Sequence, residues 1–181
     1  DIAVPADLSA AAFFIVGATI GSGSELFLPS VGLNPTRTGV IDILRAMGAR
    51  IIVSDLREIG GEPVANLSVS SSNLHGIEIP RNLIPSAIDE FPAILVAAAS
   101  AQGRTVLRGA SELRHKESDR IAVMGEGLIR LGIKAETFED GIVVEGGKIN
   151  GGEIDAHADH RIAMAFALAG LRSSGPLVVR N

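Results

Sequence analysis

Two short charged stretches stand out in a chain that is otherwise apolar. Residues 112–120 read ELRHKESDR, with six formal charges in nine positions, and residues 159–166 read DHRIAMAF, with charge confined to the first three. Arginine carries a planar fork that matches a carboxylate or a phosphate, and lysine a mobile point charge. Arg37, Lys116, Arg120 and Arg161 are therefore candidates for holding an anion. Asp89, Glu90 and Glu117 are candidates for moving protons. A carboxylate beside arginines and helix N-termini stays ionised and can act as a base of reduced basicity. For Glu117 to act as a general acid it would need burial or a neighbouring carboxylate.

A plainer reading stands beside each stretch. HKESDR can be a capped helix start, with Ser118 as N-cap and Lys116 and Arg120 as an i,i+4 surface pair. Asp159 can simply cap a helix on which Arg161 is a solvated first-turn residue. The four histidines, His75, His115, His157 and His160, lack the spacing of a metal site, although His157 and His160 at i,i+3 could share a helix face. No phosphate-binding or dinucleotide-binding glycine pattern follows a strand, and GSGS at 21–24 reads as a turn.

The elements that must position these residues repeat along the chain. DLSAAAFFIVGATIG (7–21), DEFPAILVAAASAQG (89–103) and DHRIAMAFALAGLRS (159–173) each open on Asp and run through small and apolar residues. Each predicts a buried helix with Asp at the N-cap or first turn; Pro92 is tolerated in a first turn, and Gly21 and Gly103 suit a C-terminal stop. A short β-like run follows each one: SELFLP (24–29), RTVLRG (104–109) and PLVVRN (176–181). In the first two copies a second helix follows, from Arg37 and from Ser118, the latter with Ile121, Met124, Leu128 and Leu131 at helical spacing on one face. Strands RIIVSD, KAETFED and GIVVEGG come next. The unit is α-β-α-β-β, present about two and a half times (roughly 7–83, 84–156 and 157–181), and the fold class is α/β. If the units pack by symmetry, their helix N-termini converge on one end of the domain, where free N–H groups and aligned dipoles favour anions. One N-terminus contributes only about 0.3–1 kcal/mol to a nearby charge, so cationic side chains must supply the rest.

Composition narrows the class. The chain has 181 residues, 46% hydrophobic, with no cysteine, which excludes disulfides, thiol nucleophiles and thiolate metal sites and suits a reducing compartment. The net charge of −5 and the absence of Trp and Tyr argue against a nucleic-acid surface. No apolar run reaches a membrane span and no signal-peptide pattern opens the chain, so a cytoplasmic location is expected.

LRHKESDR, DHRIAMAF, LNPTRTG (33–39) and IPSAIDEFP (84–92), in that family's spacing from Asp7 onward, closely resemble the 5-enolpyruvylshikimate-3-phosphate synthase family of enolpyruvyl transferases. That resemblance implies a two-lobed fold (an inside-out α/β barrel), each lobe built from three βαβαββ units, with substrates between the lobes at helix N-termini. It implies transfer of the enolpyruvyl group of phosphoenolpyruvate to the 5-hydroxyl of shikimate 3-phosphate through a tetrahedral intermediate, with release of phosphate and with no metal or organic cofactor. By matching position, Asp89 resembles the base on the 5-hydroxyl, and Lys116 the lysine that touches shikimate 3-phosphate. Glu117 resembles the acid that protonates the methylene carbon. Arg120 and Arg161 resemble the arginines that bind phosphoenolpyruvate, with His160 their neighbour. Glu112 stands where some members carry asparagine and receives no role. The other lobe is missing, so the chain is expected to hold half a site and to be an incomplete catalyst alone. The expected partners are the two substrates and the missing lobe, with no nucleic acid, no membrane and a monomeric assembly. Two alternatives remain: a domain of the related UDP-N-acetylglucosamine enolpyruvyl transferase, and a non-catalytic anion-binding lobe.

Overall fold

The computed structural model describes residues 4–181. Three apolar helices form its centre: α1 (Leu8–Ile20), α3 (Phe91–Ala99) and α5 (His160–Ala169). They pack on one another, and every residue of α3 is buried. A helix apolar on all sides is stable in water only at such a position. The alanines at 97–99 let the axes approach, while Phe91, Ile94, Leu95 and Phe166 fill the space between them. Each such large side chain contributes about 1.5–3 kcal/mol when fully removed from water.

Two amphipathic helices lie outside this core: α2 (Gly39–Ala46), which packs on α3, and α4 (Arg120–Arg130), which packs on α3 and α5. Three small sheets cover the remainder. Strands β1 (Glu25–Gly32), β2 (Arg50–Ile59) and β3 (Glu62–Ser70) form an antiparallel sheet in the order β1-β3-β2. Strands β4 (Arg104–Leu107), β5 (Lys134–Phe138) and β6 (Gly141–Glu145) repeat that arrangement as β4-β6-β5. Strand β7 (Gly152–Asp155) pairs in parallel with β8 (Leu177–Arg180), with α5 as the crossover between them. The same parallel link is reduced to isolated bridges in the earlier copies, Ala6 to Val31 in the first and His75 to Gln102 and Glu78 to Val106 in the second. The α-β-α-β-β order therefore occurs twice, as its periodicity predicts, and β7 is an additional strand that the quoted runs did not include.

Several helix starts differ from expectation. Asp7 and Asp159 are side-chain N-caps, but Asp89 is not. Residues Pro85–Glu90 form a 3-10 turn, and α3 begins only at Phe91, with Glu90 in the cap position making no side-chain cap bond. Pro92 in the first turn lacks an N–H, and Asp89 belongs to the preceding 3-10 turn and not to the helix. Helix α4 is capped by Asp119 rather than Ser118, since Asp119 accepts from the Ala122 N–H at 3.0 Å. Helix α2 starts two residues after Arg37.

Candidate active site

The helix N-termini do converge, and a chain of polar contacts joins them. Ser9 in the first turn of α1 donates to Glu90 at the head of α3. Arg161 in the first turn of α5 donates Nη1 to the Asp89 carbonyl at 3.4 Å, and Arg120 at the head of α4 reaches the Asp89 carboxylate at 3.4 Å. Arg37, just before α2, lies 3.9 Å from Asp7, both exposed.

Arg120 is the centre of this network and not the surface residue of the plainer reading: its side chain is 1% exposed. Its Nε donates to Asp159 Oδ2 at 2.8 Å, its Nη2 to Glu117 Oε2 at 2.6 Å, and its Nη1 to Asp89 Oδ1 at 3.4 Å. Asp159 is fully buried. Its Oδ2 also accepts from the Ser118 hydroxyl at 3.0 Å, while Oδ1 accepts the backbone N–H groups of Arg161 and Ile162. A buried ion pair is stable only with such complete satisfaction of donors and acceptors. Burial pushes the Asp159 carboxyl upward, but the hydrogen bond and charge of Arg120, with the Arg161 N–H and Ser118, outweigh it and hold the group below its usual range.

Lys116 bridges two acids, with Nζ 2.7 Å from Glu112 Oε1 and 3.3 Å from Asp89 Oδ1. The Glu112 bond leads the effects that raise the Lys116 ammonium above its usual range. For Asp89 burial is again the largest effect and raises the carboxyl. Lys116, Arg161 and Arg120 together overcome it, so Asp89 sits below the ordinary carboxylate range and stays ionised. Glu90 goes the other way: burial raises it more than Ser9 and Arg161 lower it. Glu117 has a side chain 51% exposed and touches Arg120. His160 is exposed at the first position of α5.

Of the residues expected at the site, Asp89, Lys116, Glu117, Arg120 and Arg161 are thus brought together from three separate segments of the chain, while His160 is exposed next to Arg161 in sequence. The arrangement offers an ionised base (Asp89) beside an ammonium, a partly exposed carboxyl (Glu117) paired with the Arg120 guanidinium, and a second guanidinium, Arg161, against the Asp89 carbonyl. A shallow cavity of about 170 Å³ lined by Ser9, Arg37, Asp89 and Glu90 adjoins this face. A larger cavity, about 770 Å³, lies elsewhere, at the C-terminal ends of α1 and α3, and is lined by no Asp or Glu. Among the described residues, no group of three or more histidine or acidic side chains is arranged to hold a metal ion.

Sequence reasoning placed Asp159 only as a cap and missed its pairing with Arg120, along with the Ser118 and Ser9 hydroxyls. A signal was present. Arg120 precedes Met124 and Leu128 by four and eight residues and so lies on the apolar stripe of its own helix. A buried arginine there requires a buried acid.

The fold and the site define an α/β lobe of repeated units with its titratable groups gathered at helix N-termini. Comparison with known proteins gives that lobe a family. All of residues 1–181 match the family model for EPSP synthase (3-phosphoshikimate 1-carboxyvinyltransferase). The 3-phosphoshikimate 1-carboxyvinyltransferase of Nitrosococcus oceani is 58% identical over 180 residues, covering 99% of this chain and 40% of the relative; that of Legionella pneumophila strain Paris is 56% identical over 178 residues, covering 98% and 41%. A solved structure of EPSP synthase from Acinetobacter baumannii superposes with a TM-score of 0.96 at 54% identity, over 99% of this chain and 42% of that one. The chain belongs to the EPSP synthase family, and it spans about 40% of the length of the curated relatives it matches.

Proposed function

We propose that this chain is one lobe of a cytoplasmic, monomeric enzyme that transfers the enolpyruvyl group of phosphoenolpyruvate to the 5-hydroxyl of shikimate 3-phosphate. The observation that carries this reading is the Asp89 carboxylate, shared between Lys116 at 3.3 Å and Arg120 at 3.4 Å on the face where the helix N-termini meet. Asp89 takes the proton of the 5-hydroxyl, and Lys116 beside it contacts shikimate 3-phosphate and keeps the base ionised. The oxygen adds to C2 of phosphoenolpyruvate while Glu117, half exposed and paired with Arg120 in the lobe alone and so able to carry a proton only once substrate and the opposite lobe bury it, delivers that proton to C3, giving the tetrahedral intermediate. The Glu117 carboxylate left by that step then takes a proton back from C3, the C2–O bond to phosphate breaks, and the C2–C3 double bond is restored. Arg161 and Arg120 hold the carboxylate and phosphate of phosphoenolpyruvate, with His160 at their edge. The relatives described above are 3-phosphoshikimate 1-carboxyvinyltransferases, which favours shikimate 3-phosphate over UDP-N-acetylglucosamine as acceptor.

The lobe alone is an incomplete catalyst, because most of its cations are already matched by its own acids. Arg120 faces three carboxylates and Lys116 two, so net attraction for a dianion must come from the opposite lobe. For the isolated chain this leaves weak anion binding without turnover. The three repeat units at roughly 7–83, 84–156 and 157–181 belong to the same proposal. The test is phosphate release from phosphoenolpyruvate plus shikimate 3-phosphate, using the chain alone and then the chain mixed with the complementary lobe of the Nitrosococcus oceani relative. The expected result is no release alone and release on mixing. Turnover by the chain alone sinks the half-site reading; a docked but silent pair sinks the reaction.

A further inference from the structure

A buried carboxylate lies behind Arg161 that the proposed chemistry does not use. Glu90 is 4% exposed and caps no helix. From α1 the Ser9 hydroxyl donates to its Oε1, and from α5 the Arg161 Nη1 stands 4.0 Å from the same oxygen. Asp89 is its charged neighbour on its own turn, and from the α2 side Arg37 lines the same small cavity. Among the described residues the Arg161 side chain has one other polar contact, the 3.4 Å hydrogen bond to the Asp89 carbonyl. Arg120, by contrast, is clamped by three carboxylates. An arginine that must meet a ligand loses affinity to the entropy of ordering its long side chain unless something holds it beforehand.

We propose that Glu90 is a positioning residue for Arg161: its carboxylate, pinned by Ser9, holds the guanidinium against the head of α3 and presents it to the phosphoenolpyruvate anion. This rests on the assignment of Arg161 to phosphoenolpyruvate given above. The electrostatics agree with a role other than stability. Burial raises the Glu90 carboxyl above its ordinary 4.5, so folding favours the protonated form. Its contribution to stability is therefore greatest below pH 4.5 and is lost as pH rises through the higher folded value. A charged Glu90 at neutral pH is a burden on the fold, and Glu90→Gln, which keeps an acceptor for Ser9, removes that burden together with the charge facing Arg161.

Two measurements test this. In the 181-residue chain, nitrogen-15 relaxation of the Arg161 Nε–H group should report an ordered side chain, and a markedly more mobile one in Glu90→Gln. In the chain mixed with the complementary lobe, Glu90→Gln should raise KM for phosphoenolpyruvate roughly five- to tenfold, the range one partly buried charge partner supports, with kcat and the shikimate 3-phosphate KM changed by less than about twofold. The melting temperature should not fall, and the ratio of variant to wild-type KM should approach one as pH drops through the titration of Glu90. Unchanged Arg161 order, an unchanged phosphoenolpyruvate KM, or a loss confined to thermal stability overturns the proposal. If the wild-type pair turns over nothing, the reaction assignment falls by itself, and the order of Arg161 alone decides whether Glu90 positions it.

Discussion

Arg120 and Asp159 form a buried ion pair, Nε to Oδ2 at 2.8 Å, that ties the head of α4 to the head of α5. Both side chains are shielded from water, so screening by salt is weak and removal of either partner strands a charge. Asp159→Asn should destabilise the chain by about 3–5 kcal/mol, read as a shift in the urea midpoint at constant slope. The pH dependence has a definite sign. The folded carboxyl lies below its ordinary 3.8, so its stabilisation is present above that value and is lost as pH falls through the lower folded one. Acid titration of the wild type should show this loss, and Asp159→Asn should not.

The Glu117 contact to Arg120 is short but half exposed. An incoming anion can approach Arg120 most easily by taking the place of Glu117, since Asp159 is inaccessible. Glu117→Gln should therefore bind phosphoenolpyruvate as tightly as wild type or more so, while kcat of the two-lobed assembly drops by roughly 10²–10⁴, the usual value of general acid–base assistance. Glu126→Gln, which changes the net charge equally on the exposed outer side of α4, controls for the loss of one negative charge and should leave binding unaltered. Weaker binding in Glu117→Gln would mean that Glu117 orders Arg120 instead of occupying its site.

Asp89 sits outside every helix cap and within reach of two cations. Asp89→Asn should lower kcat by about 10²–10⁴ with little change in melting temperature, because a partly exposed group beside cations contributes about 1 kcal/mol or less to stability. A comparable loss of stability would reassign Asp89 to the structure.

Gly127 holds α4 close to α5. A Cβ there would run into the ring of Phe166. Alanine is the better helix former by about 1 kcal/mol, but overpacking a rigid core costs roughly 1–3 kcal/mol. Packing should win, so Gly127→Ala is expected to lower the melting temperature. Because the same helix pair sets the Arg120–Asp159 geometry, it should also weaken phosphoenolpyruvate binding in the two-lobed assembly.

Much of this was legible in the residues themselves. The apolar all-round character of 7–21, 89–103 and 159–173 identified three central helices, and their recurrence implied that their N-termini would meet. The two charged stretches, with the Asp that opens the second repeat, picked out five side chains that do lie together, Asp89, Lys116, Glu117, Arg120 and Arg161. The local details were less legible. Asp7 and Asp159 cap their helices as expected, whereas Asp89, with the same spacing, does not, because a 3-10 turn and Pro92 displace the start of α3. Ser118 and Asp119 are both good caps, and the choice between them follows from Ser118 bonding to Asp159 across the domain.

By itself, the amino-acid sequence determined the kind and order of most elements, because helix and strand periods and cap chemistry act over a few neighbouring residues. It also determined which residue types could bind an anion or move a proton. Tertiary structure alone decided which charges meet. Arg120 finds Asp89 across 31 residues and Asp159 across 39, Arg161 reaches the Asp89 carbonyl across 72, and Ser9 holds Glu90 across 81. Those separations are far beyond any local pattern, and burial at the junction of α1, α3, α4 and α5 settles the outcome. With the same low-dielectric surroundings disfavouring charge on all three acids, Asp89 and Asp159 stay anionic beside their cations, while Glu90, farther from Arg161, is pushed toward its protonated form.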